Sequence, residues 1–196
     1  MIVGIVDYGV GNIGSVRTLL KNLKLDSMLV ASSDSFSACD ALILPGVGRF
    51  DFAMMRLKER ALIDPIIEFA NSGKPMIGIC LGMQLLGSFS EEGNVEGLNL
   101  IPGKVRKFTH DLRSPHMGWN LVDFVNIELP PEHIPRYYFV HSYYFEPTQK
   151  KHILGRTDYG LNFASAIQLE NIYGLQFHPE KSHFYGRELI QSILGC

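Results

Sequence analysis

The chain has 196 residues, 46% of them hydrophobic and 19% charged, with a formal net charge of −2. Such a chain suits one globular domain, residues 1–196, with a full core. Its near-neutral charge gives no electrostatic reason to expect nucleic acid as a partner, and no apolar run approaches the ~18 residues of a membrane span.

"MIVGIVD" is a strand candidate without the basic leader of a secretory signal, followed by a glycine-rich turn and an amphipathic segment over residues 12–24. "SMLVA" and "DALILPG" are further short apolar runs. "RFDFAMMRLKER" and "ALIDPIIEFANSG" are helical by pattern, the second ending on Gly73. "PMIGIC" is the next strand, with a helix after it. Strands alternating with helices through Phe89 predict a parallel sheet covered on both faces. After Gly97 the texture changes to β-rich segments: "KVRKF", "GWNLVDF", "RYYFVHSYYFEP", "HILGRT", "FASAIQLEN" and "IYGLQFHPE". "SHFYGRELIQSILG" closes the chain as a helix. The predicted fold is α/β, with a mixed sheet that is parallel at its centre and antiparallel toward the later strands.

Cys39, Cys80 and Cys196 are odd in number and lack C-x-x-C spacing, which argues against a disulfide framework or a cysteine-based zinc site. The cytoplasm is the expected compartment, where a thiol stays reduced. Cys80 has a distinctive setting in "GKPMIGICLGMQLLG". It sits where a buried strand meets a helix, with Gly78 and Gly82 two positions away on each side. Gly-x-Cys-x-Gly is the pattern of a nucleophile elbow, and equally a small hydrophobe ending a strand.

A nucleophilic thiol needs a base. Seven histidines are available: His110, His116, His133, His141, His152, His178 and His183. In "YGLQFHPEKS" a strand over residues 172–177 runs into His178, Pro179 stops the ladder, and Glu180 follows at the distance that lets it hold one imidazole nitrogen. A strand-end histidine with a solvated neighbour is the alternative. "LPGVGRF" follows another buried strand and offers bare backbone N–H groups for an oxyanion, or is a plain turn. The N–H of Leu81 is the second natural donor. "GVGNIG" at residues 9–14 matches a dinucleotide fingerprint. However, Asp7 and Tyr8 separate it from the strand and would set a carboxylate near the pyrophosphate, so no such cofactor is expected. No metal is expected either: H-E-x-x-H is absent, and the turn in "HPEKSH" gives His178, Glu180 and His183 no shared helix face.

In order and separation, "LPGVGRF", "GICLGMQLL" and "QFHPEKS" resemble the class I, or triad, glutamine amidotransferases, and the resemblance covers essentially the whole chain. Within that superfamily "DYGVGNIGSV", "PHMGWN" and "YFVHSYY" are similar to the glutaminase subunits of imidazole glycerol phosphate synthases, which supply ammonia for a ring closure in histidine biosynthesis. The resemblance implies Cys80 as nucleophile, His178 as general base and acid, and Glu180 as orienter. It implies Val47, Gly48 and Leu81 at the oxyanion site, and Gln84, His141, Ser142 and Tyr143 around a glutamine substrate. It also implies Asn12, Trp119, Tyr138 and Lys181 facing a (β/α)₈ cyclase partner, none of which is encoded here. The ending "HFYGRELI", with "NFASAIQLENIYG", resembles instead a paralogous branch found with surface-polysaccharide genes, where the ammonia builds an amidine on a sugar. Two other classes remain open: a cysteine peptidase or deglycase-like enzyme, and a non-catalytic binding module.

Overall fold

The computed structural model describes residues 1–108, 113–125 and 135–196. Of the seven histidines, His110 and His133 lie outside the described residues. The first half alternates strand and helix: β1 (Ile2–Val6), α1 (Ile13–Asn22), β2 (Asp26–Val30), β3 (Ala41–Gly46), α2 (Phe50–Glu59), α3 (Ile63–Asn71), β4 (Met76–Cys80) and α4 (Leu81–Leu85). Helix α1 starts where the Asn12 side chain accepts from Ser15 N at 3.2 Å, and it turns Val16, Leu19 and Leu20 inward. β3 and β4 are buried at every residue, the pattern of strands covered on both faces. Their side chains divide between two layers. Leu42, Leu44 and Met76 pack with α2, α3 and α4, whereas Ala41, Ile43, Ile77 and Ile79 pack with α1 and the C-terminal helix.

The second half comprises β5 (Phe89–Ser90), β6 (Val95–Glu96), β7 (Gly103–Lys107), β8 (His116–Leu121), β9 (Asp123–Phe124), β10 (Arg136–His141), β11 (Tyr143–Pro147), β12 (Ile153–Asp158), β13 (Asn162–Leu169), β14 (Ile172–Leu175) and α5 (His183–Leu194). The main sheet has the order β2-β1-β3-β4-β14-β13-β11-β7-β5-β6, with β12 and β9 branching from β13. It is parallel from β2 through β14, and most later pairings are antiparallel. The expected α/β class and mixed sheet are therefore observed. No helix among the described residues is long and apolar enough to cross a membrane.

Three local differences from the sequence pattern have identifiable causes. "RYYFVHSYYFEP" is not one strand: it breaks at Ser142, so that β10 pairs with β8 in a separate two-stranded sheet while β11 joins the main one. The strand expected over residues 172–177 ends at Leu175; Gln176 N still bonds Ser165 O of β13, and His178 N–H turns to Tyr138 O, both at 2.9 Å. The 3-10 segment Ser33–Ala38 and the β5–β6 pairing carry no strong periodicity, so the pattern of apolar residues does not reveal them.

Candidate active site

Cys80 ends β4 with φ 55° and ψ −110°, a backbone conformation that non-glycine residues hold only under constraint. Packing supplies the constraint. The first turn of α4 lies so close to β3 that a Cβ on Gly82 would meet Leu44 O at 1.8 Å, and one on Gly78 would meet Gly82 O at 2.6 Å. Gly46 pairs with Cys80 across the sheet, and a Cβ there would approach Gly82 N at 2.8 Å. The flanking glycines are thus steric requirements of the strand-to-helix turn. Tyr8, fully buried, donates its hydroxyl to Pro45 O at 2.7 Å and so ties down the end of β3. Burial, with the charge of Cys80 adding to it, pushes the Tyr8 phenol far above its ordinary range and keeps it a donor.

β14 runs parallel to β4 with Leu175 opposite Ile79, so the segments that leave the two strands emerge side by side. This sheet pairing brings His178 to Cys80 from far along the chain. Pro179 opens the 3-10 turn Pro179–Lys181, which folds Glu180 back against the ring. His178 Nδ1 lies 2.7 Å from Glu180 Oε1, with both side chains 2% exposed. His178 Nε2 has no hydrogen-bond partner among the described residues, nor has Glu180 Oε2. Burial opposes protonation of His178, but the neighbouring Cys80 and Glu180 outweigh it and raise the ring to about 10. Both neighbours thus favour a proton on this ring. Its Nε2 is the ring nitrogen turned away from Glu180 and available to the sulfur.

Cys80 opens onto a cavity of about 280 Å³ lined by Val47, Gly48, Leu81, Gln84, His141, Ser142, Tyr143 and His178, among others. The oxyanion and substrate residues expected from sequence thus meet at one place, with Glu180 behind His178. Gly48 has φ +97° and no heavy atom within 4 Å of a would-be Cβ, and it lines the same cavity as Val47 and Cys80. Gln84 is immobilised: its Nε2 donates to Tyr143 O and to Gln176 Oε1, both at 3.0 Å, which leaves its Oε1 for a ligand.

Asn12, Trp119, Tyr138 and Lys181 do not line the cavity. Trp119 is 48% exposed on β8, edge-on to Tyr138, with ring centroids 6.1 Å apart, and Lys181 Nζ lies 5.5 Å over the Tyr138 ring. Met117 and Leu121 share the outward side of β8 with Trp119. Asn12 is exposed and serves to cap α1.

Two residues at the cavity escape sequence reasoning. Gln176, fully buried, directs Nε2 toward Cys80 Sγ at 3.9 Å while holding Gln84. Its position two residues before His178 in "GLQFHPE" is the one signal the sequence offers. Glu92 is the only carboxylate lining the cavity among the described residues, and it accepts from Phe50 N at 2.9 Å. Burial pushes its carboxyl up, against the pull of Phe50 N–H and Arg49. Nothing local marks it among the acidic residues of "SEEGNVEG".

Comparison with known proteins agrees with this geometry. The family described as glutamine amidotransferase class-I matches residues 4–192. The chain is 44% identical to imidazole glycerol phosphate synthase subunit HisH 2 of Methanococcus maripaludis, over 98% of each chain. It is 45% identical to the HisH subunit of Sulfurimonas denitrificans, over 97% of this chain and 96% of that one. Among solved structures, a glutamine amidotransferase superposes with a TM-score of 0.81 at 16% identity, covering all of both chains. PurLQS from Thermotoga maritima gives 0.76 at 19%, covering 99% of this chain and 97% of that one. These two likenesses speak for the fold, and the family match and the close relatives speak for descent: the chain belongs to the class-I glutamine amidotransferases.

Proposed function

We propose that this protein is the cytoplasmic glutaminase subunit of an imidazole glycerol phosphate synthase, hydrolysing glutamine to glutamate and passing ammonia to a (β/α)₈ cyclase partner for histidine biosynthesis. The observation that carries the reading is the convergence of Cys80, the His178–Glu180 pair and the Val47–Gly48 turn on one amino-acid-sized cavity. The thiolate of Cys80 attacks the side-chain amide carbon. The oxygen that becomes negative is held by backbone N–H groups at Val47–Gly48 and Leu81. His178 gives its Nε2 proton to the departing ammonia. It then takes a proton from the water that hydrolyses the thioester, while Glu180 holds Nδ1–H. Free ammonia would protonate in bulk water, so an enclosed path into a partner is the chemically sound arrangement. The apolar outward side of β8, with Tyr138 and Lys181 beside it, suits that partner.

The test is glutamate release from glutamine by the chain alone, with the cyclase, and with cyclase plus its amino-imidazole-forming ligand. The expected result is slow release by the isolated chain and a rise at each addition, a coupling between two sites. Equal rates in all three would refute a gated ammonia donor. A response only to a nucleotide-sugar intermediate would assign the chain to the surface-polysaccharide branch, and no release at all would leave a peptidase or a binding module.

Glu92 is the natural counter-charge for the substrate's α-ammonium. Glu92→Gln keeps an acceptor for Phe50 N but removes the charge. We expect KM for glutamine to rise about 10- to 100-fold, the range for a lost charge-assisted hydrogen bond, with kcat little changed. An unchanged KM in steady-state assays would remove Glu92 from the substrate site.

A further inference from the structure

Behind the cavity wall runs a continuous line of hydrogen bonds that no part of the chemistry above uses. Asn120 donates through Nδ2 to Asp158 O at 2.9 Å and stands 3.3 Å from His116 Nε2. His116 Nδ1 lies 3.0 Å from His141 Nε2, and His141 Nδ1 lies 2.7 Å from Tyr143 O. Tyr143 O also receives Gln84, which holds Gln176, whose amide reaches Cys80 Sγ. Four strands meet here: β8 supplies His116 and Asn120, β10 His141, β11 Tyr143 and β12 Asp158.

Only one arrangement of protons satisfies this line. A carbonyl accepts, so His141 must carry its proton on Nδ1. A neutral His141 then accepts at Nε2, so His116 must also be protonated on Nδ1. His116 in turn accepts at Nε2 from Asn120, whose amide orientation is set independently by Leu121 N, which donates to its Oδ1 at 2.8 Å. Protonating either ring would set two N–H groups against each other. Both rings are accordingly held neutral. Burial lowers His116 to about 4. Burial also lowers His141 to about 3, the Tyr143 carbonyl pulling it back up and the neighbouring rings of His116 and His178 disfavouring a further positive charge. The His116 ring is clamped between Phe139 and Tyr159, with centroids at 4.7 and 4.0 Å.

We propose that His116 and Asn120 are positioning residues for the glutamine cavity: by imposing one proton order on His141 they fix the Tyr143 carbonyl, and with it Gln84 and the wall formed by residues 141–143. This rests on the reading of the cavity as a glutamine site. Neither residue lines the cavity, and the hydrogen-bonded route from them to its wall runs through His141.

Two substitutions at one position separate hydrogen bonding from packing. His116→Phe keeps an aromatic ring between Phe139 and Tyr159 but gives His141 no donor. His116→Asn loses the stacking but places an amide N–H near the position of Nδ1. In the complex with the cyclase, we expect KM for glutamine to rise about tenfold in His116→Phe with kcat within about threefold, and His116→Asn to recover most of that loss. Asn120→Ala, at a half-buried site, should raise KM in the same direction and guards against an unfolded His116 variant. Independently, ¹⁵N-edited NMR of the wild-type protein at neutral pH should show His116 and His141 as neutral Nδ1–H tautomers. The proposal is overturned by an Nε2–H tautomer at either ring, by an unchanged KM in the folded His116→Phe or Asn120→Ala protein, or by His116→Asn as impaired as His116→Phe. Failure of the wild-type complex to turn over glutamine would instead refute the substrate reading, and the positioning role with it, while the tautomers would still report the proton order.

Discussion

Cys80→Ala is expected to lower glutamate formation by at least about 10³-fold, the scale on which removal of a covalent nucleophile acts when the rest of the site survives. The fold should persist. The Cys80 thiol makes weak contacts, to Val140 O and from Gln176, both at 3.9 Å, besides its electrostatic tie to His178, and alanine tolerates φ 55° no worse than cysteine does. Glutamate release and a melting curve on the same preparation check both halves. Substantial activity in a well-folded variant would remove Cys80 from the chemistry. Cys196→Ser, at an exposed terminus, serves as the control for a different thiol. The same Cys80 variant carries a second expectation. His178 is raised to about 10 because Cys80 and Glu180 outweigh its burial. With the sulfur gone, burial is opposed by Glu180 alone, so the ring should titrate well below that value in an NMR pH series. An unchanged titration would mean that Glu180, not the sulfur, supplies the imidazolium's stability.

Gly82→Ala should be the most damaging single-methyl change near the site. Its Cβ would lie 1.8 Å from Leu44 O, a backbone atom in the fully buried strand β3, so no side chain can swing aside. Either α4 must lift or β3 must bend, and both carry core residues such as Met83 and Leu44. We expect a loss of at least about 3 kcal/mol in denaturant unfolding, at the upper end of overpacking effects. Gly48→Ala provides the contrast. Its φ is +97° but a Cβ there meets nothing within 4 Å, so it should fold with only the cost of the backbone conformation, about 1–2 kcal/mol. Equal stability of Gly82→Ala and wild type would mean that the elbow is far less tightly packed than described.

Both expectations concern a turn that is legible in the amino-acid sequence. Gly78, Cys80 and Gly82 lie within five positions, and the constraint they express is one of local sterics. The Pro179 break and the short reach from His178 to Glu180 are similarly local. Gln176, Glu92 and His116 are not legible in the same way. Their partners stand 92, 42 and 25 residues away along the chain, and a glutamine, glutamate or histidine looks the same in sequence whether it is solvated or aimed into a cavity.

The sequence by itself determined the main strands and helices of the first half, the parallel character of the central strands, the elbow and the amphipathic character of α1. All of these follow from periodicity, glycine placement and apolar runs within a few turns of chain. Only the tertiary structure decided that residues 136–147 split between two sheets, that β14 inserts beside β4 and so delivers His178 to Cys80, and that two histidines share a fixed order of protons. A strand chooses its neighbour by the core that their joint side chains can fill, and a buried polar group chooses its partner by who is left to satisfy it. Both choices are made between segments distant in sequence, after the local elements already exist.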